Sequence, residues 1–239
     1  MSRRRRARRA VVRGVVTGQF LAALLVVAGA VLLVGFLGGP QYQVRTVVVR
    51  GNQLAFAEEV ARESGVLGRS VFLIDTQDVA RRIVSHPAIA QATVRAFYPD
   101  TVVIDVVERV PASVWANESG TWLVDGEGRV IGAGDLPGLP HVQVASSLSL
   151  VPGQRVPPSV ADALAEVTRR YAGRLGGLAY RPGDGLVLVF VGGERILLGD
   201  AERLAEQLAV LDALLAEGRG FLHLDLRDPD RPVLWQIAP

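Results

Sequence analysis

The chain has 239 residues, 49% of them hydrophobic and 21% charged, so it can form one large or two small folded units and is too apolar to be disordered. All 26 basic residues are arginine, and there is no cysteine. The missing lysine excludes a Walker-A phosphate site and Schiff-base chemistry, and the missing cysteine excludes thiol catalysis, thiolate metal sites and disulfides.

The charges are unevenly distributed along the chain. The formal net charge is +2, but the first acidic residue is Glu58. From residue 41 onward, 19 arginines accompany 24 acidic residues, which gives that part a net charge of −5. The remaining seven arginines form a basic N-terminal tail: Arg3, Arg4, Arg5, Arg6, Arg8, Arg9 and Arg13.

Residues 15–37 predict a transmembrane helix. These 23 residues carry no charge and would form a helix about 34 Å long, against a hydrocarbon core of roughly 30 Å. The arginine-rich residues 1–14 predict a cytoplasmic tail, with everything after Pro40 outside the cytoplasm. A cleaved signal peptide is the alternative, because residues 28–30 read Ala-Gly-Ala. The apolar sequence continues well beyond them, which favours an uncleaved anchor.

The basic tail has a second possible interpretation, as a nucleic-acid-binding segment. It directly precedes an apolar helix and contains no aromatic residue. Membrane topology and anionic lipid explain such a run more simply. We therefore predict contact with the cytoplasmic membrane and none with nucleic acid.

Residues 42–111 predict a small sheet with two helices on one face, in the order β-α-α-β-β. Gly51-Asn52 is a turn signal after the first strand, and Asp75 is well placed to cap the second helix. Tyr98-Pro99-Asp100 forms a turn between the last two strands. The predicted strands are 44–50, 88–97 and 101–110, and the predicted helices are 56–64 and 76–85.

Residues 112–239 predict a mixed β domain with two helices, so the whole chain is α+β after its membrane helix. Trp115 and Trp122 are expected to be packing residues, and Asp200 is expected to cap the second helix. A proline- and serine-rich loop is expected at 136–158, and a hairpin turn at 125–128. The predicted strands are 113–116, 121–124, 129–131, 178–180, 186–191, 195–198, 221–226 and 233–237, and the predicted helices are 159–170 and 201–217.

The acidic residues of the third predicted strand are the first candidates for a catalytic site. Asp105 and Glu108 have opposite parity in a strand, so they point to opposite faces and cannot act on one substrate atom. The histidines at 86, 141 and 223 lie at a helix end, in a loop and at a strand start, without metal-ligand spacing. We therefore predict no catalytic residue, metal, cofactor or small-molecule substrate, and no enzymatic activity.

Several segments resemble the FtsQ/DivIB family of bacterial cell-division proteins. The POTRA domain of that family is similar to "VRTVVVRGNQLAFAEEV" and to "GRSVFLIDTQDVARRIVSHPAIAQATVRAFYPDTVVIDVVERVPASVW". The β domain is similar to "WLVDGEGRVI", "LLGDAERLAEQLAVLDALL" and "FLHLDLRDPDRPVLW". The most specific pieces are Pro87, Tyr98-Pro99-Asp100, Glu108-Arg109-Val110-Pro111, Val124-Asp125 with Gly128, and Leu224-Asp225-Leu226-Arg227.

The resemblance implies a non-enzymatic scaffold of the divisome, with residues 42–111 as the POTRA domain and 112–239 as the FtsQ-type β domain. It would link early division components to septal peptidoglycan synthesis from the cytoplasmic membrane at the septum. The implied partners are FtsB-like and FtsL-like proteins, through them the FtsW/FtsI synthase, and in some members FtsK.

The last predicted strand suggests how such a partner could bind. No later strand follows it in the sequence, so we expect an exposed sheet edge to which a partner strand could add. Trp235 is the expected anchor, since tryptophan often dominates interfaces, although it could equally belong to the core. The predicted partner-binding residues are Leu226, Arg227, Asp228, Val233, Leu234, Trp235 and Gln236.

A different class of protein also carries POTRA domains. Outer-membrane insertases and secretion transporters use these domains to bind unfolded substrate strands. Such proteins add a long C-terminal barrel of alternating strands of about ten residues, and this sequence lacks that number of strands. A role in secretion or outer-membrane assembly is therefore the alternative function.

Overall fold

The computed structural model describes residues 3–145, 148–218 and 220–235, with side chains from Phe20 onward. The predicted α+β class is confirmed. The helices are α1 (Arg3–Leu37), α2 (Ala57–Ser64), α3 (Thr76–Val84), α4 (Pro158–Tyr171) and α5 (Leu204–Ala216). The strands are β1 (Thr46–Arg50), β2 (Ile89–Phe97), β3 (Thr101–Glu108), β4 (Pro111–Asn117), β5 (Gly120–Asp125), β6 (Val130–Ala133), β7 (His141–Val144), β8 (Leu175–Arg181), β9 (Gly185–Phe190), β10 (Arg195–Gly199), β11 (His223–Asp225) and β12 (Val233–Trp235).

Helix α1 contains the predicted membrane segment and extends beyond it. It begins at Arg3, so the basic tail is helical as well, although its side chains lie outside the described part. Within the described residues, one segment is long and apolar enough to cross a membrane, the 18 residues Phe20–Leu37. The helix ends where Gly38 and Gly39 lead into Pro40, which cannot continue it.

The chain divides into two compact units. The first comprises Met1–Ile83 and Gln91–Val106, and the second comprises Val84–Ala90 and Val107–Pro239. In the first unit the strand order is β1-β3-β2, with β1 parallel to β3. The spacing of Val79 and Ile83 predicts that they share the buried side of α3, and both are buried. Val60 of α2 is buried as well, whereas Phe56, four residues earlier at the N-cap, is 74% exposed.

Asp75 caps helix α3 as predicted. Its Oδ1 atom accepts hydrogen bonds from the backbone N–H groups of Gln77 and Asp78, at 3.0 and 3.1 Å. In β3 the carboxylate of Asp105 forms an exposed ion pair with the guanidinium of Arg95 in the neighbouring strand. This contact supports the structural interpretation of the acidic residues in that strand.

The second unit contains a nine-stranded sheet with the order β12-β11-β10-β9-β8-β7-β4-β5-β6. Strand β7 was predicted as part of a loop, and that prediction is wrong. Its residues His141–Val144 pair in parallel with both β4 and β8. Val142 and Val144 are buried while the residues between and before them are exposed, the alternation expected of a strand with one covered face.

Helices α4 and α5 cover the core of this sheet. The leucines at 204, 208, 211 and 215 fall at helical spacing, which predicts an apolar stripe on α5. The stripe is confirmed, since Leu208 and Leu211 are buried and Leu204 and Leu215 pack against the same core. The helix begins later than predicted, and the expected cap by Asp200 is wrong. Its N-cap is Arg203, which makes no side-chain cap hydrogen bond. Ala201 has a φ of 55°, a left-handed conformation that keeps residue 201 out of a right-handed helix.

The two tryptophans predicted as packing residues occupy that role. Trp115 is fully buried, and its Nε1 atom donates to the Ser113 hydroxyl at 3.0 Å. Trp122 is partly buried against the same core. A buried tryptophan N–H needs a partner, and the serine two residues earlier supplies it.

Asp125 organises the predicted hairpin turn between β5 and β6. Its Oδ1 atom accepts from the backbone N–H groups of Glu127 and Arg129, at 2.9 and 2.8 Å. Its Oδ2 atom lies 2.8 Å from a guanidinium nitrogen of Arg109, and both side chains are largely buried. The acidic residue therefore has a structural role in the turn.

Candidate partner-binding edge of the C-terminal sheet

Strand β12 lies at one end of the nine-stranded sheet. In the described part of the chain its single neighbouring strand is β11, to which it is antiparallel. The register pairs His223 with Trp235, Leu224 with Leu234, and Asp225 with Val233. Strand β11 runs parallel to β10, so the edge is continuous with the main sheet.

The side chains of β12 alternate between the core and solvent. Leu234 packs against the hydrophobic core, whereas Val233 and Trp235 are 47% and 51% exposed. The Trp235 ring stands edge-on to the His223 ring, with centroids 6.3 Å apart. Trp235 therefore lies outside the buried core and presents apolar surface beside an open backbone edge.

The backbone N–H and C=O groups of β12 point alternately toward β11 and toward the open edge. The N–H group of Leu222 donates to the carbonyl of Trp235 at 2.9 Å, so this carbonyl points toward β11. Backbone groups of successive residues in a strand point in opposite directions. The N–H and C=O groups of Leu234 consequently point toward the open edge, where an added strand would bind.

The segment between β11 and β12 carries paired charges. Arg227 is exposed and forms two-pronged contacts with Asp225, from Nε at 3.0 Å and from a terminal nitrogen at 2.6 Å. The hydrogen bonds from Arg227 lower the pKa of the Asp225 carboxyl below its ordinary value. Asp228 is also exposed, and it accepts a hydrogen bond from the backbone N–H of Asp230 at 3.1 Å.

Arg203 is a supporting residue that the sequence analysis missed. It precedes α5 and donates to Asp230 at 2.8 Å and also to Glu206, while Asp228 lies 3.7 Å away. These carboxylates raise the pKa of Arg203, the Asp230 hydrogen bond being the largest cause. The guanidinium therefore connects the turn after β11 to the start of α5 and stabilises the position of the loop beside β12.

Gln207 is a second residue that the sequence analysis missed. It is buried, and its Nε2 atom donates to the backbone carbonyls of Leu198 and Leu226, at 2.8 and 2.9 Å. This side chain therefore joins the ends of β10 and β11 beneath the turn. A polar residue three positions after Leu204, on the apolar side of α5, was the signal that could have identified it.

The predicted partner-binding residues do not all lie on the exposed surface of the edge. Arg227, Asp228, Val233 and Trp235 share the exposed side of the edge or its adjoining turn, and Leu234 contributes backbone groups. Leu226 is fully buried, so its side chain is inaccessible to a partner and anchors the turn instead. Gln236 lies outside the described residues. The seven topology arginines all lie in α1, with side chains outside the described part.

In the part of the chain that the structure describes, the fold and this edge define a protein with one helix able to span a membrane, a compact α+β unit and a second compact unit whose sheet has an open edge. A protein-family profile described as "POTRA domain, FtsQ-type" matches residues 42–109, and one described as "Cell division protein FtsQ/DivIB, C-terminal" matches residues 113–227. The chain belongs to the FtsQ/DivIB family of bacterial cell-division proteins. Strand β12 lies beyond the second match.

Individual relatives agree with this assignment. The chain is similar to the cell division protein FtsQ of Chloroflexus aurantiacus, at 27% identity over 95% of this chain and 85% of the relative. FtsQ of Mycobacteroides abscessus is 31% identical over 88% of this chain and 68% of the relative. FtsQ of Mycobacterium tuberculosis is 31% identical over 95% and 71% respectively. Membership in this family supports a role in cell division rather than in secretion or outer-membrane assembly.

Proposed function

We propose that this protein is a non-enzymatic scaffold that binds FtsB-like and FtsL-like division proteins through the open edge of its C-terminal sheet. Through them it would connect to the FtsW/FtsI synthase, and an FtsK-type protein is a further proposed partner. Family membership supports the division role. The single observation that carries the binding mode is the half-exposed Trp235 on an edge strand.

The proposed contact is the addition of a partner strand to β12. The partner backbone would bond to the outward N–H and C=O groups of Leu234, and its side chains would contact Val233 and Trp235 on the solvent face. Main-chain hydrogen bonds would supply affinity, and alternate side chains would supply specificity. Arg227 and Asp228 would add charged contacts at the rim, where they affect association rate and selectivity more than affinity.

The proposed orientation places the N-terminus in the cytoplasm and both folded units outside it. Seven arginines before the apolar helix support this topology, because cytoplasmic flanks carry an excess of positive charge. The absence of native cysteine makes the test direct. A single cysteine in place of Gln53 should react with a membrane-impermeant maleimide in intact spheroplasts. Protection until the membrane is permeabilised would reverse the orientation.

The binding mode is tested by co-purifying the full-length protein with the FtsB-like and FtsL-like proteins of the same organism. We expect Trp235→Ala to weaken the complex at least about tenfold, because an exposed aromatic anchor at an interface commonly contributes that much. Val191→Ala is the control, since Val191 is another exposed apolar residue of the same unit, located just after β9. Full binding by a normally folded Trp235→Ala variant would place the contact elsewhere.

The cellular role requires a separate measurement. A fluorescent fusion of the protein should accumulate at mid-cell, and its depletion should produce filamentous cells. Uniform envelope fluorescence with normal division would contradict the proposed septal role. The co-purification result would remain valid in that case, because it measures binding and not localisation.

A further inference from the structure

Four aromatic rings form a continuous cluster in the first unit. The Tyr42 ring has its centroid 4.9 Å from that of Phe36 and 4.9 Å from that of Phe72. The Phe72 ring in turn lies 4.8 Å from Tyr98. These spacings are those of interacting aromatic pairs. The aromatic cluster, as we call it, comprises Phe36, Tyr42, Phe72 and Tyr98.

The aromatic cluster begins at the end of the apolar helix. Phe36 is the penultimate residue of α1, and the apolar segment Phe20–Leu37 has 18 residues. At 1.5 Å per residue this segment is about 27 Å long, close to the thickness of a bilayer hydrocarbon core. When α1 spans a membrane, Phe36 therefore lies at the boundary between hydrocarbon and headgroups.

Hydrogen bonds connect the rest of the cluster to the helix end. The Ser70 hydroxyl donates to the backbone carbonyl of Leu37, the last residue of α1. The Val44 N–H donates to the Arg69 carbonyl, and the Gly68 N–H donates to the Val44 carbonyl, both at 2.9 Å. The segment that carries Phe72 is thus joined to α1 and to the chain that follows it, so these rings lie at a fixed depth relative to the helix end.

The surface around the aromatic cluster is apolar and open. Phe36 is 53% exposed, Leu73 is 62% exposed and Tyr98 is 67% exposed. Leu67 and Phe97, from the same two segments as Phe72 and Tyr98, are exposed as well. Exposed apolar side chains concentrated in this way are typical of an interaction surface. The tyrosines of the aromatic cluster combine an apolar ring with a polar hydroxyl, the combination enriched at membrane–water interfaces.

We propose that the aromatic cluster, together with Leu73, inserts into the interfacial layer of the lipid bilayer and fixes the first unit against the membrane surface. The occupant of this surface is phospholipid at the boundary of headgroups and acyl chains. The choice of lipid rests on continuity with α1, since the patch starts at the point where a spanning helix would leave the hydrocarbon. The inference depends on the proposed membrane insertion of α1.

The geometry of β1 provides a matched control position. Strand β1 starts close to the cluster, because the N–H of Thr46 donates to the carbonyl of Asp100, two residues after Tyr98. It then runs five residues to Arg50, a distance of about 13 Å. Gln53 lies three residues further and is exposed. A label at Gln53 should therefore remain in water when the cluster contacts lipid.

The experiment uses the full-length protein in vesicles of phosphatidylcholine and phosphatidylglycerol. Leu73→Cys, Tyr98→Cys and Gln53→Cys each introduce one cysteine into a chain that has none, for attachment of the fluorophore bimane. The vesicles are prepared with and without lipid that carries a nitroxide near the top of its acyl chain. We expect at least threefold stronger nitroxide quenching at positions 73 and 98 than at 53.

Two other outcomes would overturn the proposal. Equal, weak quenching at all three positions would place the cluster in water. Blue-shifted bimane emission at 73 without lipid quenching would indicate that protein, such as a second copy of this chain, covers the surface. Resistance of the protein to alkaline carbonate extraction is measured in the same vesicles. It reports the insertion of α1 separately, so failure of the anchor is distinguished from failure of the interfacial contact.

Discussion

Gln207 and Leu226 are joined by a buried hydrogen bond of 2.9 Å, from the side-chain amide of the helix residue to the backbone carbonyl that follows β11. The same amide donates to the carbonyl of Leu198 at 2.8 Å. This buried amide therefore holds the turn that leads to the proposed binding edge, in addition to the surface contacts of Arg203. The position of the turn depends on a residue that is inaccessible to any partner.

Replacement of Gln207 should weaken the fold and the edge together. Gln207→Met retains the length of the side chain and removes both donors. The Leu198 carbonyl keeps the backbone N–H of Ala201 as a donor at 3.2 Å, whereas the buried Leu226 carbonyl loses its side-chain donor. We expect the free energy of unfolding to fall by about 1–3 kcal/mol. Part of this loss is offset, because the buried Oε1 atom, which has no hydrogen-bond partner among the described residues, is removed as well.

Chemical denaturation of the detergent-solubilised full-length protein measures this change. Gln53→Met is the control, since Gln53 is exposed and should show a change below about 0.5 kcal/mol. Partner binding should also weaken in Gln207→Met, although residue 207 makes no direct contact. Unchanged stability with unchanged binding would contradict the supporting role.

The ion pair of Arg109 with Asp125 should contribute far more to stability than that of Arg95 with Asp105. The first pair is largely buried, and Asp125 also holds two backbone N–H groups of its turn. Arg109→Met would leave a buried carboxylate without its cation, at a cost of about 3 kcal/mol or more. Arg95→Met removes an exposed pair and should cost less than about 1 kcal/mol. Equal losses in the two variants, measured by denaturation, would refute this ranking.

Local sequence patterns predicted the elements whose determinants are close together in the chain. The cap by Asp75 involves residues two and three positions away, and the leucine stripe of α5 spans twelve residues. Both were therefore readable from spacing. The cap assigned to Asp200 was wrong because the left-handed backbone at Ala201 delays the helix. Spacing alone carries no information about such a turn.

The features that escaped sequence analysis depend on distant residues. Strand β7 has four residues inside a proline- and serine-rich stretch, and its pairing with β4 and β8 is long-range. Gln207 finds its acceptors nine and nineteen residues away. For the binding edge, the sequence predicted the strand and Trp235. It could not separate buried Leu226 from its exposed neighbours, because that depends on tertiary packing.

The pairing of Arg227 with Asp225 should make part of the stability dependent on acid. Arg227 lowers the pKa of Asp225 in the folded protein, so the pair stabilises the fold above the unfolded pKa of about 3.9. That contribution is lost as the pH falls through the lower folded pKa. Arg227→Gln should therefore be less stable than the parent protein at pH 7, and the difference should shrink below about pH 4.

Denaturant titrations of both proteins between pH 7 and pH 3 test this pH dependence. Arg231→Gln is the control, because Arg231 is exposed and lies in the same turn. We expect its stability difference from the parent protein to be small and independent of pH. A constant difference for Arg227→Gln across the whole range would show that Asp225 does not titrate through this pair.

Gly51 should tolerate no side chain, because two independent constraints act on it. It has a φ of 85°, and a Cβ atom at this position would lie 2.3 Å from the backbone carbonyl oxygen of Val106. Gly51→Ala should therefore destabilise the first unit by about 2 kcal/mol or more, because the new side chain would strain the backbone at residue 51 and displace the end of the strand. Gly126→Ala is the matched control, since its Cβ would meet no atom within 4 Å. Thermal unfolding measures the difference. We expect the melting temperature of Gly126→Ala to be close to that of the parent protein and that of Gly51→Ala to be clearly lower. Comparable melting temperatures for the two variants would refute the close approach at Val106.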